Sequence, residues 1–245
     1  MKKFKSIITI FIMIAFVGAC SEDEPTTPTE VDYSIPLAIG NWWKYEVYEV
    51  NDDGEIVGTL LNTFTITVEK RDSLEGRYAY YLKTEGRKKG GYSTCIDVDK
   101  DGIYFYEPWL DWGVSDKAPK INSWPMNIDY KNMNWEMYNS DQNYKDRGIE
   151  SSGYIKKIGQ NTGTEIIEYK ELEYSVMNIL NIFDKNVVNN LISATDTIAI
   201  IEKNTDTTEF QIINGIGIYS YTRMDVPENE RHFRRKEILV DHGPK

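Results

Sequence analysis

The chain has 245 residues, 28 Lys and Arg against 39 Asp and Glu, and a formal net charge of -11. That length suits one large domain or two small ones, and a charge of that sign excludes a nucleic-acid binder, which needs a basic face for phosphates. Two cysteines and two histidines exclude a disulfide scaffold, a Cys/His zinc site and an iron–sulfur protein, while 40% hydrophobic and 13% aromatic residues supply a core and argue against disorder.

Lys2, Lys3 and Lys5 form a positive segment, and an apolar run from Ile7 to Val17 follows, interrupted only by Thr9. A spanning helix needs about 20 apolar residues. The run is shorter than that, and with Gly18 and Ala19 behind it, it reads as a secretory signal. Val17-Gly18-Ala19-Cys20 also resembles a bacterial lipobox. The resemblance implies cleavage before Cys20, a diacylglyceryl group on its thiol and acylation (palmitate) of the new N-terminus; the alternative is an ordinary signal peptide with an incidental cysteine. Acyl chains at about 0.8 kcal/mol per buried methylene would hold such a protein on a membrane. The processed chain, with 25 basic and 39 acidic side chains, would be repelled by anionic lipid, so the anchor makes the membrane contact.

Ser21-Glu22-Asp23-Glu24 resembles the surface-export signal of Bacteroidota lipoproteins, or is a solvated acidic linker. Pro25 to Glu30 reads as an extended spacer. The expected organisation is a signal peptide over 1–19, a lipidated tether over 20–32 and one β-rich domain over 33–245. The expected address is the outer membrane, lipid-anchored, at the cell surface, with the periplasmic face as the alternative.

From Trp43 onward apolar and polar residues alternate: Trp43, Tyr45 and Val47; Phe64, Ile66 and Val68; Tyr78, Tyr80 and Leu82. Turn signals stand at 51–54, 75–76 and 101–102. This is the pattern of antiparallel hairpins. Residues 108–135 lack the alternation and predict a long aromatic loop or cover. Strands resume at 135–139, 153–159 and 164–183, and again at 196–203, 207–213, 216–223 and 234–240. Val187, Val188, Leu191 and Ile192 sit at helical spacing and predict a short helix over 184–194. The fold class expected is all-β: an antiparallel barrel, half-barrel or sandwich. The Pro-Leu-x-x-Gly-x-x-Trp-x-Tyr pattern at Pro36–Tyr45 and the Gly-x-Gly at Gly215–Gly217 resemble uncharacterised β-rich Bacteroidota surface lipoproteins. That resemblance implies a fold and an address and no chemistry.

Asp97, Asp99 and Asp101 followed by Gly102 reproduce the first half of an EF-hand loop. The twelfth position is Pro108 and the following residues are strand-like, so an Asp-rich hairpin competes with a weak calcium site. Trp109, Trp112, Trp124 and Trp135, with nearby Asp and Asn, could form a glycan-stacking face or fill a core. Asp72-Ser73-Leu74, Asp196-Thr197-Ile198 and Asp206-Thr207-Thr208 resemble the O-glycosylation motif of Bacteroidota secreted proteins, on Ser73, Thr197 and Thr207, or are turn chemistry.

Catalytic signals are sparse. There is no Gly-x-Ser-x-Gly elbow. Cys95 reads as a small buried hydrophobe, and His242 falls in a frayed tail. Glu165, Glu168, Glu171 and Glu173 read as a solvated strand face or, less simply, an acidic pair. Arg231, Arg234, Arg235 and Lys236 suggest a charged edge strand. The function expected is a non-catalytic, lipid-anchored binding or accessory module, with a glycan or an outer-membrane protein as partner and no cofactor beyond calcium. The alternatives are a glycan-binding lipoprotein using the 104–135 aromatics and a glycan-cleaving hydrolase using an acidic pair.

Overall fold

The alternation becomes strand wherever turn residues bound it. The computed structural model describes residues 35–51, 53–86, 95–107, 122–193, 196–223 and 235–244. Its strands are β1 (Trp42–Val50), β2 (Ile56–Leu74), β3 (Arg77–Glu85), β4 (Cys95–Val98), β5 (Gly102–Phe105), β6 (Met126–Asp129) and β7 (Asn134–Asp141). Then come β8 (Tyr144–Asp146), β9 (Ile149–Tyr169), β10 (Leu172–Ile192), β11 (Thr197–Ile213), β12 (Gly217–Arg223) and β13 (Arg235–Gly243). No helix occurs among the described residues.

All pair in one antiparallel sheet, in the order β6-β5-β4-β3-β2-β1-β13-β12-β11-β10-β9-β7, with β8 beside β9 where β7 ends. One meander runs from β1 out to β6 and a second runs from β7 back to β13. Strand β13 then pairs with β1, Trp42 opposite Gly243. The result is a nearly closed barrel. Each junction is a backbone ladder except that between β6 and β7, which residues 130–133 cross.

Period two decides what fills it. Trp43, Tyr45 and Val47 of β1 point inward with Phe64, Ile66 and Val68 of β2 and Leu239 of β13. Tyr45 stacks on Phe64 at 5.2 Å, and Phe210 meets Phe105 and Tyr221 edge-on. Each such side chain contributes about 1.5–3 kcal/mol on burial. The Trp43 indole and the Tyr45 hydroxyl donate to the carbonyls of Ile216 (2.7 Å) and Ile218 (2.8 Å), tying β1 across the interior to β12. Trp42, on the outer face, is half-buried against Gly243.

Four expectations are corrected. Residues 184–192 are not helical: they continue β10, paired on one side with β9 and on the other with β11. Arg235 and Lys236 do not lie on an edge, because β13 is flanked by β1 and β12; Arg231 and Arg234 lie outside the described residues. His242 is not in a frayed tail but opposite Trp43 in β13. The predicted loop also contains β6 and the start of β7.

The antiparallel order gives the barrel a lower end, where Ile35, the 75–76, 170–171 and 214–216 turns and the end of β13 lie. At the opposite, upper end are the 51–55 turn and the tips of β9, β10 and β11. The upper end exposes Ile56, Val57, Leu60 and Leu61 on β2 and Leu191, Ile192, Ile198, Ile200 and Ile201 on β10 and β11.

At the open junction, Trp135 of β7 lies over β9 at Gly159, and its Nε1 donates to the Met126 carbonyl of β6 at 2.8 Å. A Cβ on residue 159 would stand 2.1 Å from the indole. Gly159→Ala is therefore predicted to lower unfolding stability by about 1–3 kcal/mol through overpacking. Gly58→Ala, whose Cβ meets nothing nearer than 3.4 Å, is predicted to stay within about 0.5 kcal/mol of the parent. Urea titration of the two variants measures the difference.

Candidate functional site

The inner face divides along the barrel axis. The lower part is apolar and leaves a cavity of about 40 Å³ among Ile35, Trp43, Ile96 and Phe105. The upper part is polar, and two charged clusters occupy it.

The first cluster bridges the open junction. Lys157 of β9 donates to Glu107 Oε1 at 2.7 Å and to Asn127 Oδ1 of β6 at 2.8 Å. Asn127, fully buried, donates through Nδ2 to Glu107 Oε1 at 3.1 Å and to the Pro125 carbonyl at 3.2 Å. Asn181 of β10 donates to Asn127 Oδ1 at 3.4 Å. Tyr138 of β7 stands opposite Lys157 in register. Burial, and then the Glu107 charge, push its phenol far above the ordinary value. Glu107 Oε2, Asn181 Oδ1 and the Tyr138 hydroxyl are buried and have no hydrogen-bond partner among the described residues. Buried polar atoms are normally satisfied, so these positions suit water or a hydroxyl-bearing molecule.

The second cluster lies across β11, β12 and β13. Arg223 holds Asp206 through Nε and Nη2, at 3.1 and 2.7 Å to Oδ2. Arg235 Nε is 3.1 Å from Glu237 Oε1, and Glu237 is 0% exposed. Tyr221 lies among these groups; burial and then Glu237 push its phenol up. Register joins the clusters: Asn181 is opposite Thr208, Thr208 opposite Arg223, and Arg223 opposite Arg235. Within the two clusters Glu107, Asp206 and Glu237 thus face Lys157, Arg223 and Arg235, three charges of each sign. Such a network holds strands in register.

Of the sequence candidates, Cys20, Trp109 and Trp112 lie outside the described residues. Trp124 is a core residue, 3% exposed, packed with Ala79, Cys95 and Tyr104 and 5.1 Å from the Tyr106 ring. Trp135 is the junction residue described above. Trp124 presents no open stacking face, and Trp135 is half-buried. Asp97 is ion-paired to Arg77 at 2.7 Å, Asp101 to Lys131 at 2.6 Å, and Asp99 Oδ1 accepts from the Asp101 and Gly102 amides. That is an Asp-capped hairpin turn, and among the described residues no group of His, Cys, Asp or Glu is placed to hold a metal ion.

Asp72 and Asp196 accept from the amides of Ser73 and Thr197, both exposed at strand ends, and Thr207 is half-buried. Glu165, Glu168, Glu171 and Glu173 are exposed, with Glu168 directly opposite Glu173. Sequence reading missed Lys157, Asn181, Arg223 and Glu237 altogether, and took Asp206 only as part of a glycosylation motif. The available signal was polar residues at core parity: Asn181 falls between Ile179 and Val187 on the inward side of β10.

No protein-family model matches the chain, and no curated protein matches it. Two solved structures are similar. One is a protein of Parabacteroides distasonis ATCC 8503 provisionally designated a lipoprotein, with 10% identity over 85% of this chain and 97% of that one and a TM-score of 0.39. The other is from Bacteroides fragilis NCTC 9343, provisionally designated an exported protein with a YmcC-like fold. Its identity is 10% over 86% of this chain and 99% of that one, with a TM-score of 0.41.

Breaking a buried ion pair from one side leaves an uncompensated charge, at about 3–5 kcal/mol, whereas removing both partners is close to neutral. Lys157→Met alone is predicted to destabilise by that amount, and Lys157→Met with Glu107→Gln to recover most of it, in a denaturant-measured double-mutant cycle. A second prediction concerns alkali. At the lower end burial, and then Asp241, push the Tyr169 phenol to about 12. A folded-state value above the unfolded value of about 10 leaves stability level below pH about 10 and lowers it as pH rises through the folded value. Tyrosinate absorbance is predicted to rise together with loss of near-ultraviolet circular dichroism in that window.

Proposed function

We propose that the chain is a lipid-anchored envelope protein, held at the outer membrane through Cys20, whose barrel is a non-catalytic module that docks an outer-membrane protein. The observation that carries this reading is the placement of exposed apolar side chains. Leu191, Ile192, Ile198, Ile200 and Ile201 cluster at the upper end, opposite the end where the chain enters at Ile35. Leu191 is opposite Ile198 on one face of the hairpin, and Val188 is opposite Ile201 on the other, so the tip offers apolar surface on both faces and fits a groove.

The cavity of the lower interior, about 40 Å³, holds only water, which supports docking over transport. The acidic run Ser21–Glu24 favours the cell-surface side.

Cys20→Ser tests the anchor. The variant is predicted to lose metabolic palmitate labelling and to leave the membrane fraction; retained labelling would overturn the assignment. For docking, Ile198→Lys with Ile201→Lys is predicted to keep the protein in the membrane fraction while abolishing photo-crosslinks formed from position 200 to an outer-membrane protein. Undiminished crosslinks would overturn it.

A further inference from the structure

We propose that the outer face of the barrel carries a binding groove across β9 to β13 for a neutral, polyhydroxylated molecule about one sugar ring in size. The inference goes beyond the anchoring and docking above and does not depend on either.

The groove encloses about 270 Å³, just below the roughly 300–1,000 Å³ of pockets for drug-sized ligands. Two adjacent cross-strand rows build it. Asn178 of β10 is opposite Gln211 of β11, which is opposite Ser220 of β12. In the next row Leu180 is opposite Glu209, Glu209 opposite Thr222, and Thr222 opposite Lys236 of β13. These residues alternate with the inward-facing Ile179, Phe210 and Tyr221, so they belong to the outer face.

Outer faces of barrels are ordinarily convex. Here two β-bulges fall at the first row. One lies between Asn178 and Ile179 in the pairing with β9, the other between Gln211 and Ile212 in the pairing with β12. A bulge bends its strand and increases local twist. Two at one level, on the ladders either side of the β10–β11 pair, fold the surface inward there. Ser220 and Thr222 are each 2% exposed although they point away from the core, and they form the groove floor.

The lining selects the ligand class. Gln211 Nε2 donates to Asn178 Oδ1 at 3.2 Å and to a Glu165 carboxylate oxygen, and its Oε1 accepts from the Ser220 hydroxyl at 2.6 Å. In this ordered chain of two amides, a hydroxyl and a carboxylate the Gln211 and Ser220 hydrogens are spent internally, which leaves the Asn178 amide to donate beside oxygen acceptors on Glu165, Gln211 and Ser220, as vicinal hydroxyls require. Leu180 adds an apolar contact for ring C–H groups. Glu165 and Glu209 outnumber Lys236, which rejects phosphates and carboxylates. The residues hold one another in place before a ligand arrives, which limits the ordering needed on binding.

The test uses the full chain in detergent, with saturation-transfer NMR and calorimetry against glucose, galactose, mannose, N-acetylglucosamine and their disaccharides, and with inorganic phosphate as the anionic probe. At least one saccharide is expected to bind saturably at one site per chain, and phosphate not at all. Gln211→Ala and the isosteric Thr222→Val are each expected to weaken that binding by roughly tenfold, the effect of one hydrogen bond. Thr207→Val, on the same face outside the groove, is expected to leave it unchanged, and unchanged melting of all three variants establishes that they fold. Three results would overturn the proposal: no saturable binding by any saccharide, binding of phosphate alone, or saccharide binding that survives Gln211→Ala and Thr222→Val but is lost in Trp109→Ala.

Discussion

Strand β1 is bonded on one side to its sequence neighbour β2 and on the other to β13, from the far end of the chain. The two meanders become one ring only through that second ladder. Closing so long a loop costs conformational entropy before any contact repays it. The aromatic residues of β1 supply much of the return. Trp43 and Tyr45 fill the lower interior and cap the carbonyls of Ile216 and Ile218 at the start of β12. Without the β1–β13 pairing those side chains have no opposite wall, and the apolar core cannot assemble. A barrel with this contact pattern should fold slowly relative to its size, since its decisive ladder is its least local.

The ring is left open at β6 and β7, and there side chains take over from the backbone. Trp135 reaches across to Met126, and Lys157 reaches from β9 to Glu107 and Asn127. Desolvating an ammonium and a carboxylate is costly, and the pair offsets this only because each has further partners. A polar closure has one property that an apolar one lacks: it works in a single register. A slip of β7 by one residue would turn Trp135 and Tyr138 to the other face and leave Lys157 and Glu107 without their surroundings. The ion pairs Arg223–Asp206 and Arg235–Glu237 extend the same constraint over β11, β12 and β13.

The all-β architecture was legible because turns and alternation agree over most of the chain, and the inward residues of β1 and β2 follow directly from period two. Strand β10 shows how that reading fails. Val187 and Leu191 point inward while Val188 and Ile192 point outward, because the upper stretch of the strand carries apolar residues on both faces. The spacing that results matches a helix. The basic run at Arg235 misled for a related reason: charge protects edges, but here it faces Glu237 inside the barrel. The charged network was largely illegible, since Glu107, Asn127, Lys157 and Asn181 are scattered in sequence and meet only when the ring curls.

The first and last described residues lie at one end of the barrel and the apolar tips at the other, and this also sets how the molecule bears force. A pull between Ile35 below and the tips above runs along the strand axes. Antiparallel hydrogen bonds stand perpendicular to that direction, so the rungs of each ladder would share the load in shear and would not break in succession like a zipper. The same barrel pulled sideways at the β6–β7 gap would meet only a few side-chain contacts. The fold is built to be stiff along its length and weak across one line of its wall.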